Sequence, residues 1–182
     1  MLLTYSPFVF LRQKRQPMIN SQEETSRFLM QATLGADQAL LNSVSQIGIL
    51  PWLDQQFRHQ PQSDRRFESA TRAIWQDFRK RLVAEHGATA LNGEGNNPAL
   101  PYKWYFHMAW WDHTLTSKDD LLRQRVAQAL SEVLVISDQS SLELDSIGFA
   151  SYYDLLYNHA FGKFTDLLYQ VSMHPMMGIY LS

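Results

Sequence analysis

Apolar residues recur along most of this chain at intervals of three and four, the spacing that places side chains on one face of an α-helix. The clearest case is residues 121–136, where polar and apolar side chains separate into two arcs. The apolar arc consists of Leu122, Val126, Ala127, Ala129, Leu130, Val133 and Leu134. It covers about half of the circumference, which is more than contact with a single helix requires. We therefore predict a central helix whose apolar arc contacts several neighbours.

The start of this helix carries two further features. Ser117 and Asp120 resemble a capping box in which Asp replaces Glu. Arg123 lies inside the apolar arc. Either its long stem carries the guanidinium to solvent, or the side chain is buried and needs a carboxylate partner.

Helix-start and helix-stop residues divide the rest of the chain. Ser21 and Glu24 form a capping box. Asp37 can cap a second helix that Gly48 ends, and Pro51 suits the first turn of a third. Further helices are predicted over residues 63–86, 101–115, 147–160 and 163–174. No stretch alternates as a strand would. The predicted fold is all-α, an irregular multi-helix bundle of about seven or eight helices.

Composition narrows the class of protein. With 182 residues, 45% of them hydrophobic and 19% charged, the chain can bury the core of one globular domain. Its net charge of -2 gives no overall attraction to nucleic acid or to an anionic membrane. No apolar run approaches the roughly 18 residues of a membrane span. The lack of cysteine excludes disulfides and thiolate metal sites.

Two regions are expected: an N-terminal arm, residues 1–20, and a helical domain, residues 21–182. In the arm the apolar run at residues 8–11 precedes the basic residues Arg12, Lys14 and Arg15. A secretory signal has the opposite order. We therefore expect a flexible or docked arm rather than a signal peptide, and the compartment stays open.

Aromatic residues are concentrated between residues 102 and 111, which include Trp104, Trp110 and Trp111. Trp104, Met108, Trp111 and Leu115 share one helical stripe. Core packing is the first interpretation of this stripe. The alternative is an aromatic surface that binds a sugar or a peptide, with the three tryptophans as binding residues.

The histidines predict neither a metal site nor a cofactor site. His107 and His113 are six residues apart, unlike the four-residue spacing of helical zinc ligands. His159 lies on the apolar side of helix 147–160, near its C-terminal end, and is either a neutral core histidine or a site residue. The glycine-rich loop at residues 87–100 lacks the Gly-Lys-Ser/Thr sequence of a phosphate loop.

Several phrases together resemble a bacterial family, the domain of unknown function 1800. They are RFLMQATLG (27–35), RQRVAQALS (123–131), YYDLL (152–156), HAFGKF (159–164) and HPMMGIYL (174–181). The resemblance extends from Ser21 to the end, with Leu34 where the family usually has Phe. It implies that residues 21–182 are the N-terminal part of a longer family domain. The apolar end, residues 176–182, is then expected to drive self-association.

The resemblance also has implications for the compartment and for a partner of this protein. Family members are often exported and often encoded beside a phosphatase-like family, the domain of unknown function 1501, which implies a possible protein partner. It supplies no reaction and no catalytic residues. The sequence itself contains no Gly-x-Ser-x-Gly elbow, and no carboxylate spacing stands out.

The sequence is therefore compatible with three functions. The favoured hypothesis is a helical binding or assembly module that acts with a partner protein. The first alternative is an enzyme whose polar site the family's C-terminal half completes. Its catalytic candidates are Arg123, Arg125, His159 and His174. The second alternative is a carbohydrate- or peptide-binding surface on the aromatic helix 102–111.

Overall fold

The structure, a computed structural model, describes residues 21–61, 63, 65–92, 99–139 and 142–182. Over these ranges the chain forms nine α-helices and one 3-10 turn, Ala88–Leu91, and no strand. The α-helices are α1 (Gln22–Ala32), α2 (Gln38–Ile47), α3 (Ile49–Arg58), α4 (Arg66–His86), α5 (Trp104–Thr116), α6 (Leu121–Val133), α7 (Ser146–Asn158), α8 (Phe164–Met173) and α9 (Pro175–Leu181). The all-α prediction is confirmed. The predicted arm, residues 1–20, lies outside the described residues, as do residues 93–98 of the loop.

The predicted caps account for the first helices. Ser21 Oγ accepts from Glu24 N at 3.1 Å, and Glu24 Oε2 accepts from Ser21 N at 3.0 Å, which completes the capping box. Asp37 Oδ1 accepts from Leu40 N at 2.8 Å. Gly48 separates α2 from α3 with a φ of 90°, a value that favours glycine.

One helix was not predicted from the sequence. α9 begins at Pro175, whose fixed φ suits the first helical position. Its N-cap is His174, and the imidazole Nδ1 accepts from Met176 N at 3.3 Å. Histidine is not among the usual N-cap residues, so the sequence offers no standard start signal for this helix.

α7 is the centre of the bundle. Eight of its thirteen residues are buried, and it packs against α4, α5, α6, α8 and α9. Its inner side chains join two apolar clusters. Leu156 lies with Leu167 and Met176 in one cluster, and Tyr157 lies with Phe67 in the other. A third cluster joins α1, α2 and α3 to Leu121 at the start of α6.

α6 contacts α1, α3 and α7, so the prediction of several neighbours is confirmed, and Leu122, Leu130 and Leu134 pack against the apolar clusters. The prediction that α6 is the central helix is wrong, and its apolar arc is only partly buried. The buried residues of α6 are Leu121, Arg123, Gln124 and Ala127. Val133, in the predicted apolar arc, is 71% exposed. α6 is oriented this way because its polar side chains find buried partners, whereas part of its apolar arc faces outward.

The capping box predicted for this helix is also wrong. Asp120 is the N-cap residue of α6, but its side chain makes no capping hydrogen bond. It accepts instead from Ser117 Oγ at 2.5 Å and is almost fully buried. Asp120 therefore belongs to the interior of the bundle.

No helix within the described ranges combines the length and the apolar content that crossing a bilayer requires.

Candidate functional site

The aromatic helix α5 has one side that is buried and an apolar side that faces solvent. Tyr105, Ala109 and His113 are buried. On another side lies the stripe of Trp104, Met108, Trp111 and Leu115, whose residues are between 39% and 69% exposed. The interpretation of this stripe as core packing is wrong. We call these four residues the α5 stripe.

Beside the stripe lies a cleft of about 440 Å³. Its walls include Phe106, Trp110, Trp111, Ile136 and Tyr153. At its edge His107 Nε2 lies 3.2 Å from Asp138 Oδ2. We call this space the aromatic cleft.

The three tryptophans proposed as binding residues are not all in one place. Trp110 and Trp111 line the aromatic cleft and make an edge-to-face contact at 4.9 Å between ring centroids. Trp104 stacks on Tyr102 at 4.3 Å and borders a separate groove with Phe78 and Met108.

Beneath α5 is a buried polar cluster centred on Asp120. Its carboxylate accepts from Gln124 Nε2 at 2.7 Å and from His113 Nε2 at 2.9 Å, in addition to Ser117 Oγ. The Tyr157 hydroxyl is a fourth donor. Burial alone would raise the pKa of Asp120, but these donors, His113 foremost, hold the pKa well below its usual range. The carboxylate is therefore ionised within the interior.

Arg66 lies on the other side of the His113 ring. One guanidinium nitrogen, Nη1, is 3.2 Å from His113 Nδ1. Arginine can only donate, so Nδ1 must carry a lone pair and Nε2 the proton that points to Asp120. The two contacts together assign a neutral tautomer to His113. The sequence predicted neither contact. His113 and Asp120 are 7 residues apart along the chain, and Arg66 and His113 are 47 apart.

Arg123 is 4% exposed, so the interpretation that it is buried is correct, but the carboxylate partner expected with it is wrong. The guanidinium does not reach solvent, and its hydrogen bonds go to carbonyls rather than to a carboxylate. It donates to Tyr157 O at 3.2 Å and to His59 O at 3.1 Å, and it lies 4.6 Å from the Phe161 ring centroid. Arg123 thus binds the C-terminal end of α7, where unpaired carbonyls and the helix dipole favour a positive charge.

The other three catalytic candidates lie in separate places. Arg125 donates to Gln31 O at 3.3 Å, on α1. His159 is the C-cap residue of α7, with Nδ1 2.9 Å from Leu155 O. His174 caps α9. The structure therefore brings Arg123 and His159 to one end of α7 and leaves Arg125 and His174 apart from them.

Asp154 is a buried carboxylate on α7 that the sequence analysis did not single out. It accepts from Phe67 N at 2.9 Å and from Glu68 N at 2.8 Å, so it caps the start of α4 from another helix. Burial raises its pKa to about 6. The sequence feature that could have indicated a buried Asp154 is that it is the one carboxylate in a largely apolar helix.

Within the described ranges no three His, Asp or Glu side chains converge in an arrangement that could hold a metal ion.

The comparisons with known proteins identify the family. The sequence model described as "Protein of unknown function (DUF1800)" matches residues 27–182. This chain belongs to the DUF1800 family. No curated protein and no solved structure matches the chain.

The phrases that suggested DUF1800 fall on distinct parts of the fold. The first lies in α1 and the residues after it, and the second in α6. The third and fourth run from α7 into the start of α8, and the last forms the cap and body of α9. The α6 phrase supplies Arg123 and Gln124 to the buried interior of this DUF1800 chain.

Proposed function

We propose that this DUF1800 chain is a helical binding module that docks a partner protein on the α5 stripe. The observation that carries the proposal is the row of four large, exposed apolar side chains at spacings of four, three and four residues. Helices that dock through one apolar face place their contact residues at this spacing.

Two physical arguments support a protein partner. α5 has the core on one side, and on another side the four apolar side chains of the stripe face solvent. A contiguous apolar patch on a surface marks an interaction site. Tryptophan and methionine are, moreover, enriched at the centres of protein interfaces.

The stripe also indicates the kind of partner. None of its four side chains is charged or has more than an indole N–H to donate. It would therefore contact an apolar surface such as the face of a partner helix. The phosphatase-like family that the resemblance associates with this one is the first partner to test.

The test is photocrosslinking in the native cell. A photoreactive residue replaces Met108 or Leu115, and Lys80, on the exposed side of α4, is the matched control position. We expect one protein to be captured from both stripe positions and not from Lys80. Purified with that protein, the Trp111→Ser variant should bind at least about tenfold more weakly, as for a central aromatic contact. Different proteins at the two positions, or equal capture from Lys80, would reject the proposal.

A second candidate is a carbohydrate or peptide ligand in the aromatic cleft. Trp110 and Trp111 offer flat apolar faces, and the His107–Asp138 pair offers polar atoms at the edge. Oligosaccharides and short peptides would be titrated while tryptophan fluorescence is followed. Trp110→Ala should abolish a saturable change, and Trp104→Ala, on the same helix but outside the cleft, should preserve it. Quenching that survives Trp110→Ala would exclude the cleft.

A further inference from the structure

A further pocket, distinct from the α5 stripe and from the aromatic cleft, lies where α3 and α5 end and α4 and α6 begin. Its volume is about 250 Å³, which suits a small ion rather than a large ligand. The lining is polar and includes His59, Arg66, His113, Ser117, Lys118 and Asp119, with Asp120 behind them. We call it the Arg66 pocket.

Asp120 does not serve as the counter-ion of this pocket. Its two oxygens are already bound by four donors from Ser117, Gln124, His113 and Tyr157. Its effect is to hold the His113 ring so that Nδ1 faces Arg66. The ring is therefore fixed in place by an ionised group that is itself fully hydrogen-bonded.

Arg66 is the cation of this pocket to which the described residues supply no anionic partner. No ion pair between described residues includes it. Its Nε is buried and has no hydrogen-bond partner within the described part of the chain. Its contact at Nη1 is with a neutral imidazole nitrogen. Arg66 lines the pocket, and a guanidinium without a carboxylate partner is well matched to a planar oxyanion.

The other charged residues at the edge of the pocket are Lys118, which has an ion-pair partner, and Asp119, which repels an anion. Lys118 Nζ pairs with Asp37 Oδ2 at 3.0 Å near the surface. Asp119 is exposed at the rim, and its carboxylate opposes the entry of an anion. Among the described residues that line the pocket, Arg66 is thus the cation available for a ligand, and Asp119 is a removable repulsive charge.

We propose that the Arg66 pocket binds a small oxyanion, a carboxylate or phosphate group, with the Arg66 guanidinium as its main contact and His113 as a positioning residue. Charge-assisted hydrogen bonds from guanidinium to oxyanion are stronger than those between neutral groups and can be bidentate. Affinity in the millimolar range is expected for one such contact at a partly open site.

The test is an NMR titration of the full chain with inorganic phosphate and, separately, with acetate, at constant ionic strength. The ring resonances of His113 report on the pocket, and those of exposed His86, at the far end of α4, report on non-specific effects. A saturable shift at His113 without one at His86 supports the proposal, and the anion that saturates distinguishes phosphate from carboxylate ligands. Shifts that rise linearly with both anions overturn it.

Variants test the roles of the named charges. Arg66→Met should weaken binding at least tenfold, whereas Arg81→Met, which removes the same charge at the other end of α4, should leave it unchanged. Asp119→Asn should tighten binding about twofold to threefold, the effect of one surface charge. Equal weakening by Arg66→Met and Arg81→Met would overturn the proposal. If Arg66→Met does not fold, Arg66→Lys decides, since it keeps the charge and loses the planar fork. Unchanged affinity in that variant would also overturn it.

Discussion

At the scale of single residues, two buried aspartates have opposite pKa shifts for identifiable reasons. Asp120 accepts from four side-chain donors, and these outweigh the effect of burial. Asp154 accepts from two backbone N–H groups, and burial prevails, with the nearby Glu68 carboxylate acting in the same direction. The number and kind of hydrogen-bond donors therefore determine whether a buried carboxyl group has a lowered or a raised pKa.

The raised pKa of Asp154 predicts how stability depends on pH. The folded state holds the proton of Asp154 up to about pH 6, whereas the unfolded chain releases it near the ordinary aspartate pKa of 3.8. Folded molecules bind more protons between these values, so this carboxyl makes stability fall by roughly 2–3 kcal/mol as pH rises from about 4 to about 6. Urea unfolding of wild type and Asp154→Asn at several pH values measures it. The difference between the two should change across this window; a constant difference would contradict the assignment.

Asp120 predicts the opposite behaviour at lower pH. Its depressed pKa contributes stability that is present above about pH 4, its value in the unfolded chain, and is lost as pH falls below it. Asp120→Asn should remove this acid-side loss and destabilise the chain at neutral pH. An acid-side profile unchanged by the substitution would contradict this role.

Arg123 and Arg125 form a natural pair for comparison, since they are two residues apart on α6. Arg123→Met leaves the carbonyls at the end of α7 without their buried donor, which should cost about 1–3 kcal/mol or more. Arg125→Met removes a partly exposed side chain and should cost less than about 1 kcal/mol. The free energy of unfolding in urea measures both. Equal effects would mean that the Arg123 contacts contribute little.

At the scale of helices, periodicity located the elements better than it oriented them. The capping box at Ser21, the cap at Asp37 and the break at Gly48 are local signals, and the structure has each of them. The orientation of α6 depends on two hydrogen bonds to other helices. The Tyr157 hydroxyl donates to Asp120, 37 residues away, and Leu122 N donates to Gln56 Oε1 at 3.0 Å. Such pairings do not appear in a single-helix pattern.

The cap of α9 gives a prediction at this scale. His174→Ala removes the acceptor for Met176 N and should destabilise the start of α9 by about 0.5–2 kcal/mol. His174→Ser, which provides a standard N-cap oxygen, should restore most of that loss. Hydrogen exchange of the α9 amides measures both variants. Equal protection in wild type and His174→Ala would show that Pro175 and packing suffice to start the helix.

At the scale of the whole molecule, the sequence predicted the fold class and the family but separated the candidate sites poorly. The tryptophans of α5 were recognisable because aromatic residues are concentrated there. The Arg66 pocket was not, because it collects residues from four helix ends that are distant in sequence. Isolated polar residues such as His113 do not indicate a site in the sequence, because only the fold brings them close together.

The outer surface of α8 and α9 also predicts how the molecule behaves in solution. Seven large apolar residues are exposed there: Phe164, Leu168, Tyr169, Met173, Ile179, Tyr180 and Leu181. Exposed apolar area of this kind favours association with another surface, so we expect the sedimentation coefficient of the purified chain to rise with concentration. Tyr169→Glu combined with Met173→Glu should keep it monomeric, since both side chains are exposed and neither change disturbs the core. Met30→Glu, an exposed apolar site on α1, is the matched control and should still associate. A wild-type chain that stays monomeric at every concentration, or a Met30→Glu variant that dissociates equally well, would show that this surface does not drive association.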